Sequence, residues 1–167
     1  MTVHAFSTAL VGIEAVLVDV ETQILGALKR FTVVGLPDGV VRESRERVRG
    51  ALEHAGFSFP YGEVIVSLSP ATLPKGGAGF DLSIAVTILA AMKLFDPARL
   101  EGKIFLGALG LDGSVRAVPG ALAAACCALA QKRPLELVLP AECADEALLA
   151  GKAVVRPIRS LLELVEC

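Results

Sequence analysis

The sequence predicts a mixed α/β fold on three observations. The first third of the chain alternates polar and apolar residues as strands do, one central segment is apolar on nearly every face, and the last third alternates short strand and helix patterns. The chain has 167 residues, of which 54% are apolar and 20% charged, with a net charge of −2. This composition excludes disorder and supplies a real core. It also excludes a global positive field that would attract nucleic acid.

Strands are predicted first. Residues 3–24 form two extended segments on either side of Val11-Gly12, which predicts a hairpin. β-Branched residues at 31–34 predict a third strand, and alternation at 63–68 predicts a fourth. Beyond residue 97, strands are expected at 103–106, 135–139 and 153–156, and helices at 119–131, 141–149 and from Ser160 onward.

A helix is predicted at residues 39–55. Asp38 is a favourable N-cap at its start, and Gly56 can adopt the left-handed conformation that follows a last helical turn. At about 100° per residue, one stripe of this helix faces the core. The stripe comprises Val41, Ser44, Val48, Leu52 and Ala55.

Three arginines are predicted to lie together along one flank of that stripe: Arg42, Arg45 and Arg49. Guanidinium groups at successive helical turns suit phosphate or carboxylate, so this arginine edge, with Lys75 as a further cation, is a candidate anion- or partner-binding surface. Glu46 and Glu53, each four residues after an arginine, suit equally a solvated or intersubunit salt-bridge face. Either interface would use the same arginines.

A glycine-rich loop, residues 71–79, precedes an apolar segment at 81–92 that is predicted to be an enclosed helix. Asp81 is expected to help cap this helix. Such a loop can aim backbone N–H groups at phosphate, but the pairs Gly102-Lys103 and Gly151-Lys152 are not followed by Ser or Thr, so neither completes a P-loop. A tight turn that allows close packing of the helix is the simpler interpretation.

Metal, disulfide and membrane chemistry have little support in the sequence. Two histidines and four cysteines without C-x-x-C spacing predict no metal site and reduced thiols. The cysteines are Cys126, Cys127, Cys143 and Cys167. Apolar runs shorter than the ~18–20 residues of a membrane span, and a first segment without a secretory pattern, predict a cytoplasmic location. Serines and cysteines have no neighbouring base, so no catalytic residue is predicted.

Five stretches of the chain carry a more specific pattern. They are residues 9–15 (ALVGIEA), 31–38 (FTVVGLPD), 41–49 (VRESRERVR), 64–85, and 106–116 (LGALGLDGSVR) followed by 139–142 (LPAE). In these stretches the sequence resembles the amino-terminal domain of the Mg-chelatase-like ATPases of the competence-protein ComM type. The resemblance runs over essentially the whole chain.

The resemblance implies a fold and a lost catalytic site. The implied fold is the two-layer α+β arrangement of Lon-protease-like domains, in the superfamily named after domain 2 of ribosomal small-subunit protein five. Lon-type proteases use a serine in a K-D-G-P-S-A-G loop and a lysine in a G-G-L-K-E-K turn. The matching positions here are Gly79 and Leu122. Neither side chain can attack a carbonyl or accept a proton, so this chain is expected not to be an enzyme.

The resemblance also implies a larger context. Family members place this domain, expected to be a single one over residues 1–167, before an AAA+ ATPase module that is expected to be absent here. The implied function is a non-catalytic accessory or assembly domain. ATP, Mg²⁺, a hexameric ring and a role in DNA processing or branch migration would belong to the whole polypeptide, and no cofactor is expected in this chain.

The implied partners are the ATPase module, neighbouring subunits and, through the parent assembly, DNA, but no membrane. Two alternatives stay open. One is a residual Ser-type peptidase of the Lon class. The other is a phosphate- or nucleotide-binding enzyme domain, by analogy with kinases that share the implied fold.

Overall fold

A computed structural model describes residues 2–166 of the chain. The strands in this range are β1 Thr2–Val11, β2 Glu14–Leu25, β3 Arg30–Val34, β4 Glu63–Ser69, β5 Lys103–Phe105, β6 Ala108–Leu109, β7 Val115–Arg116, β8 Glu136–Pro140 and β9 Val155–Ile158. The helices are α1 Gly39–Arg42, α2 Ser44–His54, α3 Asp81–Ala91, α4 Ala121–Leu129, α5 Ala144–Leu148 and α6 Leu161–Glu166.

Most of the strands join one sheet. Within residues 2–166 its seven strands have the order β3-β4-β2-β1-β5-β8-β9. The pairs β1–β2 and β2–β4 are antiparallel, and the other neighbours in the sheet are parallel. β6 and β7 form a separate antiparallel pair. The predicted α/β class is confirmed.

The hairpin predicted at the amino terminus is present. β1 is paired with β2 along its whole length, from Thr2 opposite Gln23 to Val11 opposite Glu14 across the turn. Their side chains alternate between faces, as the sequence pattern requires. Val18 and Val20 are fully buried, whereas Asp19 between them is partly exposed.

Helices cover both faces of the sheet. α2 and α3 pack against one face of the sheet, where the core includes residues such as Val20 and Phe105. The sheet and these two helices form the expected two layers. Ile104 precedes Phe105 and therefore points to the other face. There it joins Leu137 and the alanines of α4 in a second apolar cluster, to which α5 also contributes. α4 and α5 thus add a layer of helices on the face of the sheet opposite to α2 and α3.

The helix predicted at residues 39–55 is interrupted. Asp38 accepts a hydrogen bond from the Val41 N–H at 2.8 Å and Gly56 has φ +93°, so both predicted caps are confirmed. The prediction of one continuous helix is wrong, because α1 ends at Arg42 and α2 begins at Ser44. At the junction the Glu46 N–H donates to the Glu43 carbonyl, a tighter bond of the 3₁₀ type.

Other helices are shorter than the sequence predicts. The segment predicted at 119–131 is helical only over α4, which begins after Gly120 in the left-handed conformation. The segment predicted at 141–149 is a 3₁₀ turn, Ala141–Cys143, followed by α5. None of the helices within residues 2–166 combines the length and apolarity that crossing a bilayer requires.

The loop between β3 and α1 passes very close to β4 at Gly35. Gly35 has φ +106°, and a Cβ atom there would overlap the Leu68 carbonyl oxygen and lie 2.9 Å from its carbon. We expect Gly35→Ala to lower the free energy of unfolding by about 2–4 kcal/mol. Two costs add, because alanine is strained at this positive φ and its Cβ atom clashes with the Leu68 backbone. Urea denaturation followed by circular dichroism would measure this loss.

Gly39→Ala is the matched control for that substitution. Gly39 lies in α1, and a Cβ atom there would meet no heavy atom within 4 Å. Its stability should stay the same or rise by up to about 1 kcal/mol, the helix propensity difference between the residues. Equal losses in the two variants would contradict the proposed close approach.

Candidate functional site

Arg42 and Arg45 occupy the exposed side of the α1–α2 segment. The Arg45 guanidinium donates to the Arg42 carbonyl at 3.0 Å and to the Phe31 carbonyl at 3.3 Å. Within residues 2–166 neither arginine pairs with a carboxylate, and Glu46, four residues after Arg42, forms no ion pair with it. Both guanidinium groups retain donors that face solvent and can bind an anionic partner.

Arg49 has a different environment from the other two arginines. Its guanidinium carbon lies 4.9 Å from the centroid of the Phe59 ring, and that ring stacks on Phe31 at 5.3 Å. The half-buried Arg49 also lines an open cleft of about 410 Å³ with Lys29 and Tyr61. A cation held over an aromatic face contributes to packing, so Arg49 is the least free member of the arginine edge.

Lys75, the fourth predicted cation, is buried and only 1% exposed. Its ammonium group donates to the Pro70 carbonyl, and burial lowers the pKa of this amine. Its backbone bonds Leu36 and Asp38 at 3.0 and 2.9 Å, which ties the glycine-rich loop to the start of α1. The structure therefore does not bring the Lys75 amine to the exposed arginine edge.

A buried ion pair that the sequence analysis missed joins α2 to α3. The fully buried Asp81 carboxylate accepts hydrogen bonds from Arg47 Nε at 2.6 Å, Ser44 Oγ at 2.5 Å and the Leu109 N–H at 3.0 Å. The hydrogen bond that Arg47 donates to Asp81 raises the pKa of the Arg47 guanidinium. The expectation that Asp81 caps α3 is wrong, because its side chain bonds neighbouring elements instead of its own first turn.

The sequence contained a signal for this ion pair. Asp81 is the only charged residue of an otherwise apolar helix, and an enclosed carboxylate needs a cation nearby. Ser44 lies on the predicted buried stripe, and Arg47, three residues later, lies on the same face of α2. Composition alone could not select Arg47 among the arginines at 41–49, because the packing of α2 against α3 makes that choice.

The two positions matched to the protease residues lie in neighbouring depressions. Gly79 lines a cleft of about 330 Å³ with the nine-tenths buried Thr8. Leu122 lines an adjoining groove of about 640 Å³, and Leu10 and Gly120 line both. In the part of the chain that the structure describes, no serine hydroxyl is hydrogen-bonded to a lysine amine.

The cysteines differ in accessibility. Cys126 is exposed in the larger groove, whereas Cys127 is half-buried and burial raises the pKa of its thiol. Cys143 is buried. These three residues carry free thiols, and Cys167 lies outside the described residues. Cys126 is thus the thiol best placed to react with an added reagent.

Comparison with known proteins finds one family and several longer relatives. Residues 20–143 match the family described as subunit ChlI of Mg-chelatase. An uncharacterized protein of Mycobacterium tuberculosis is 41% identical over 161 residues, which are 96% of this chain and 32% of that protein. Competence protein ComM of Haemophilus influenzae is 38% identical over 161 residues, 96% of this chain and 31% of its own length.

A shorter match covers part of the chain. The uncharacterized protein YifB of Escherichia coli is 39% identical over 117 residues, which are 70% of this chain and 23% of YifB. The chain spans about a third or less of the length of these curated relatives.

The ion pair between α2 and α3 gives a stability prediction. Asp81→Asn removes the anion that pairs with Arg47 and replaces one of the two acceptor oxygens that Arg47, Ser44 and the Leu109 N–H share by an amide NH₂. We expect the free energy of unfolding to fall by about 3–5 kcal/mol, as when one partner of a buried pair is removed. Glu43→Gln removes the exposed partner of the same arginine, 3.6 Å away, and should cost less than about 1 kcal/mol. Equal small losses in urea denaturation would contradict a structural role for Asp81.

Proposed function

Because the chain belongs to the family of the Mg-chelatase subunit ChlI, we propose that it is a non-catalytic accessory domain of a Mg-chelatase-like ATPase. The observation that carries the proposal is that Arg42 and Arg45 are exposed and have no carboxylate partner within residues 2–166. Such guanidinium groups bind anionic groups on another molecule. The domain therefore acts by contact with neighbouring subunits or, through the parent assembly, with DNA.

The absence of reacting side chains at the matched protease positions supports a non-catalytic role. A glycine at position 79 offers no nucleophile, and Leu122 offers no base. Lys75 lies nearby in sequence, but its amine donates to a backbone carbonyl in the interior. These residues leave binding as the activity of the domain.

The described residues do not fit an ATP site. Gly102-Lys103 leads into β5 and the Lys103 amine donates to the Glu101 carbonyl, while Gly151-Lys152 precedes β9. A phosphate-binding loop needs a glycine-rich turn that opens a helix, followed by Ser or Thr. We therefore assign ATP and Mg²⁺ binding, a hexameric ring and DNA processing to the whole cytoplasmic polypeptide and its AAA+ module. This chain matches only 32% and 31% of the length of two of its relatives, so such proteins have room for a further module.

Reversal of the two free arginines tests the proposed contact role. In the longer protein that carries this domain, Arg42→Glu with Arg45→Glu should weaken subunit assembly or DNA binding about tenfold, because like charges would then face the partner's anions. Sedimentation velocity and fluorescence anisotropy would measure assembly and DNA binding. Arg133→Glu is the matched control, since Arg133 is exposed on another part of the chain.

The same variants must leave the fold intact. Surface substitutions of this kind change stability by about 0.5 kcal/mol or less, so thermal melting of the isolated chain should be nearly unchanged. Arg49→Glu is less suitable, because it removes the contact with Phe59. Unchanged assembly together with unchanged DNA binding in the double variant would overturn the proposal.

The proposal also predicts that the chain has no peptidase activity. Purified chain should release no fluorescence from labelled casein above the buffer rate, and a serine-reactive fluorophosphonate should not label it. Gly79→Ser should stay inactive as well, because Leu122 supplies no base for the new hydroxyl. Turnover by the unmodified chain that follows it through successive purification steps would favour the residual peptidase instead.

A further inference from the structure

An apolar groove lies between the tip of the β1–β2 hairpin and α4. It has a volume of about 640 Å³, and its walls include Leu10, Ile13, Leu122 and Ala123. Ile13 is 94% exposed and Leu10 is 47% exposed. Aliphatic side chains that are exposed together in this way are typical of a surface that binds a partner.

The charged residues that line this groove are both acidic. Glu14 follows the hairpin tip and Glu146 lies on α5, and both are exposed. Neither carboxylate has an ion-pair partner within residues 2–166. Lys132 and Arg133 follow α4 but do not line the groove. The groove therefore suits an occupant that combines aliphatic side chains with cations.

The chain carries a surface of that composition. It consists of three exposed aliphatic residues and the two arginines that follow them, and we call it the docking patch: Val34, Leu36, Val40, Arg42 and Arg45. Of the nearby carboxylates, Asp38 caps α1 and Glu43 pairs with Arg47, so Glu46 is the one left beside the two exposed arginines. The patch can therefore offer cations to another molecule's carboxylates.

We propose that the docking patch of one copy of this chain occupies the acidic apolar groove of the next copy. This inference rests on the proposed function, for which it names the partner of the arginines. The aliphatic residues of the patch fill the groove, and Arg42 and Arg45 face Glu14 and Glu146. Because groove and patch are different surfaces, the contact is head-to-tail and can repeat around a closed ring.

A second copy fits the patch better than DNA does. Glu43 and Glu46 are exposed beside Arg42 and Arg45, so acidic groups interrupt the positive charge of this segment. A polyanion gains little from a surface with two free cations, since its affinity comes from neutralising many phosphates. Each of the two groove carboxylates can pair with one arginine, and the apolar walls of the groove can bury the aliphatic residues of the docking patch.

Cross-linking through the groove tests the contact directly. Cys126 is an exposed thiol in the groove, and Val40→Cys introduces a thiol in the docking patch, with Cys127→Ser and Cys167→Ser removing competing thiols. A short bis-maleimide should then give a ladder of dimers and higher oligomers. The yield should exceed by about tenfold that of Tyr61→Cys in the same background, since Tyr61 is exposed but belongs to neither the groove nor the docking patch.

Adding Cys126→Ala to the Val40→Cys variant should abolish the ladder, because Cys126 supplies the second thiol. A ladder that persists without Cys126, or a yield equal to that of Tyr61→Cys, would overturn the proposal. Circular dichroism of each variant confirms that the compared chains are folded.

Charge exchange supplies a second test. In the cross-linking background, Glu14→Lys with Glu146→Lys should lower the yield about tenfold, and adding Arg42→Glu with Arg45→Glu should restore it. Asp145→Lys is the matched control, since Asp145 is exposed on α5 but does not line the groove. No loss in the first variant, or no restoration in the combined one, would overturn the pairing.

The two proposals fail in different ways. Where reversal of the two arginines weakens assembly or DNA binding of the longer protein, but reversal of the two groove glutamates leaves the cross-linking yield unchanged, the accessory function stands and the groove pairing is wrong. Where neither reversal has an effect on assembly or DNA binding, both are wrong.

Discussion

The carboxylate of Asp81 is the constraint on which the arrangement of α2, α3 and β6 depends. It is fully buried and receives hydrogen bonds from Arg47, Ser44 and the Leu109 N–H. An enclosed anion is unfavourable unless donors surround it, so all three must be in place at once. This requirement fixes the rotation of α2 about its axis, and with it the side of the helix on which Arg45 meets solvent.

Some charged side chains of this domain form hydrogen bonds within the fold, and others are exposed to solvent. Arg47 and Lys75 carry their donors to a carboxylate and a backbone carbonyl within the fold, where they hold α2 and the glycine-rich loop. Arg42 and Arg45 keep their guanidinium groups outside, as Glu14 and Glu146 keep their carboxylates. In the proposed accessory role, these outer charges are the groups that contact another molecule.

The two surfaces of the proposed contact come from different parts of one sheet. The docking patch begins at the end of β3, which is an edge strand, whereas the groove begins at the turn of the β1–β2 hairpin farther into the sheet. Elements that extend beyond a packed sheet cannot bury their aliphatic residues against it. Ile13 and Leu36 are exposed for this reason, and the proposed contact between copies would cover them.

The sequence by itself determined the features that depend on neighbours along the chain or on composition. These are the hairpin, the caps at Asp38 and Gly56, and the enclosure of α3, because alternation, capping and apolar content act locally. Only the tertiary structure decided that Arg47 is the arginine that pairs with Asp81, that Lys75 points inward and that the helix breaks at Glu43. Arg47 meets Asp81 across 34 positions of sequence, and such a contact depends on how helices pack, which local preferences do not specify.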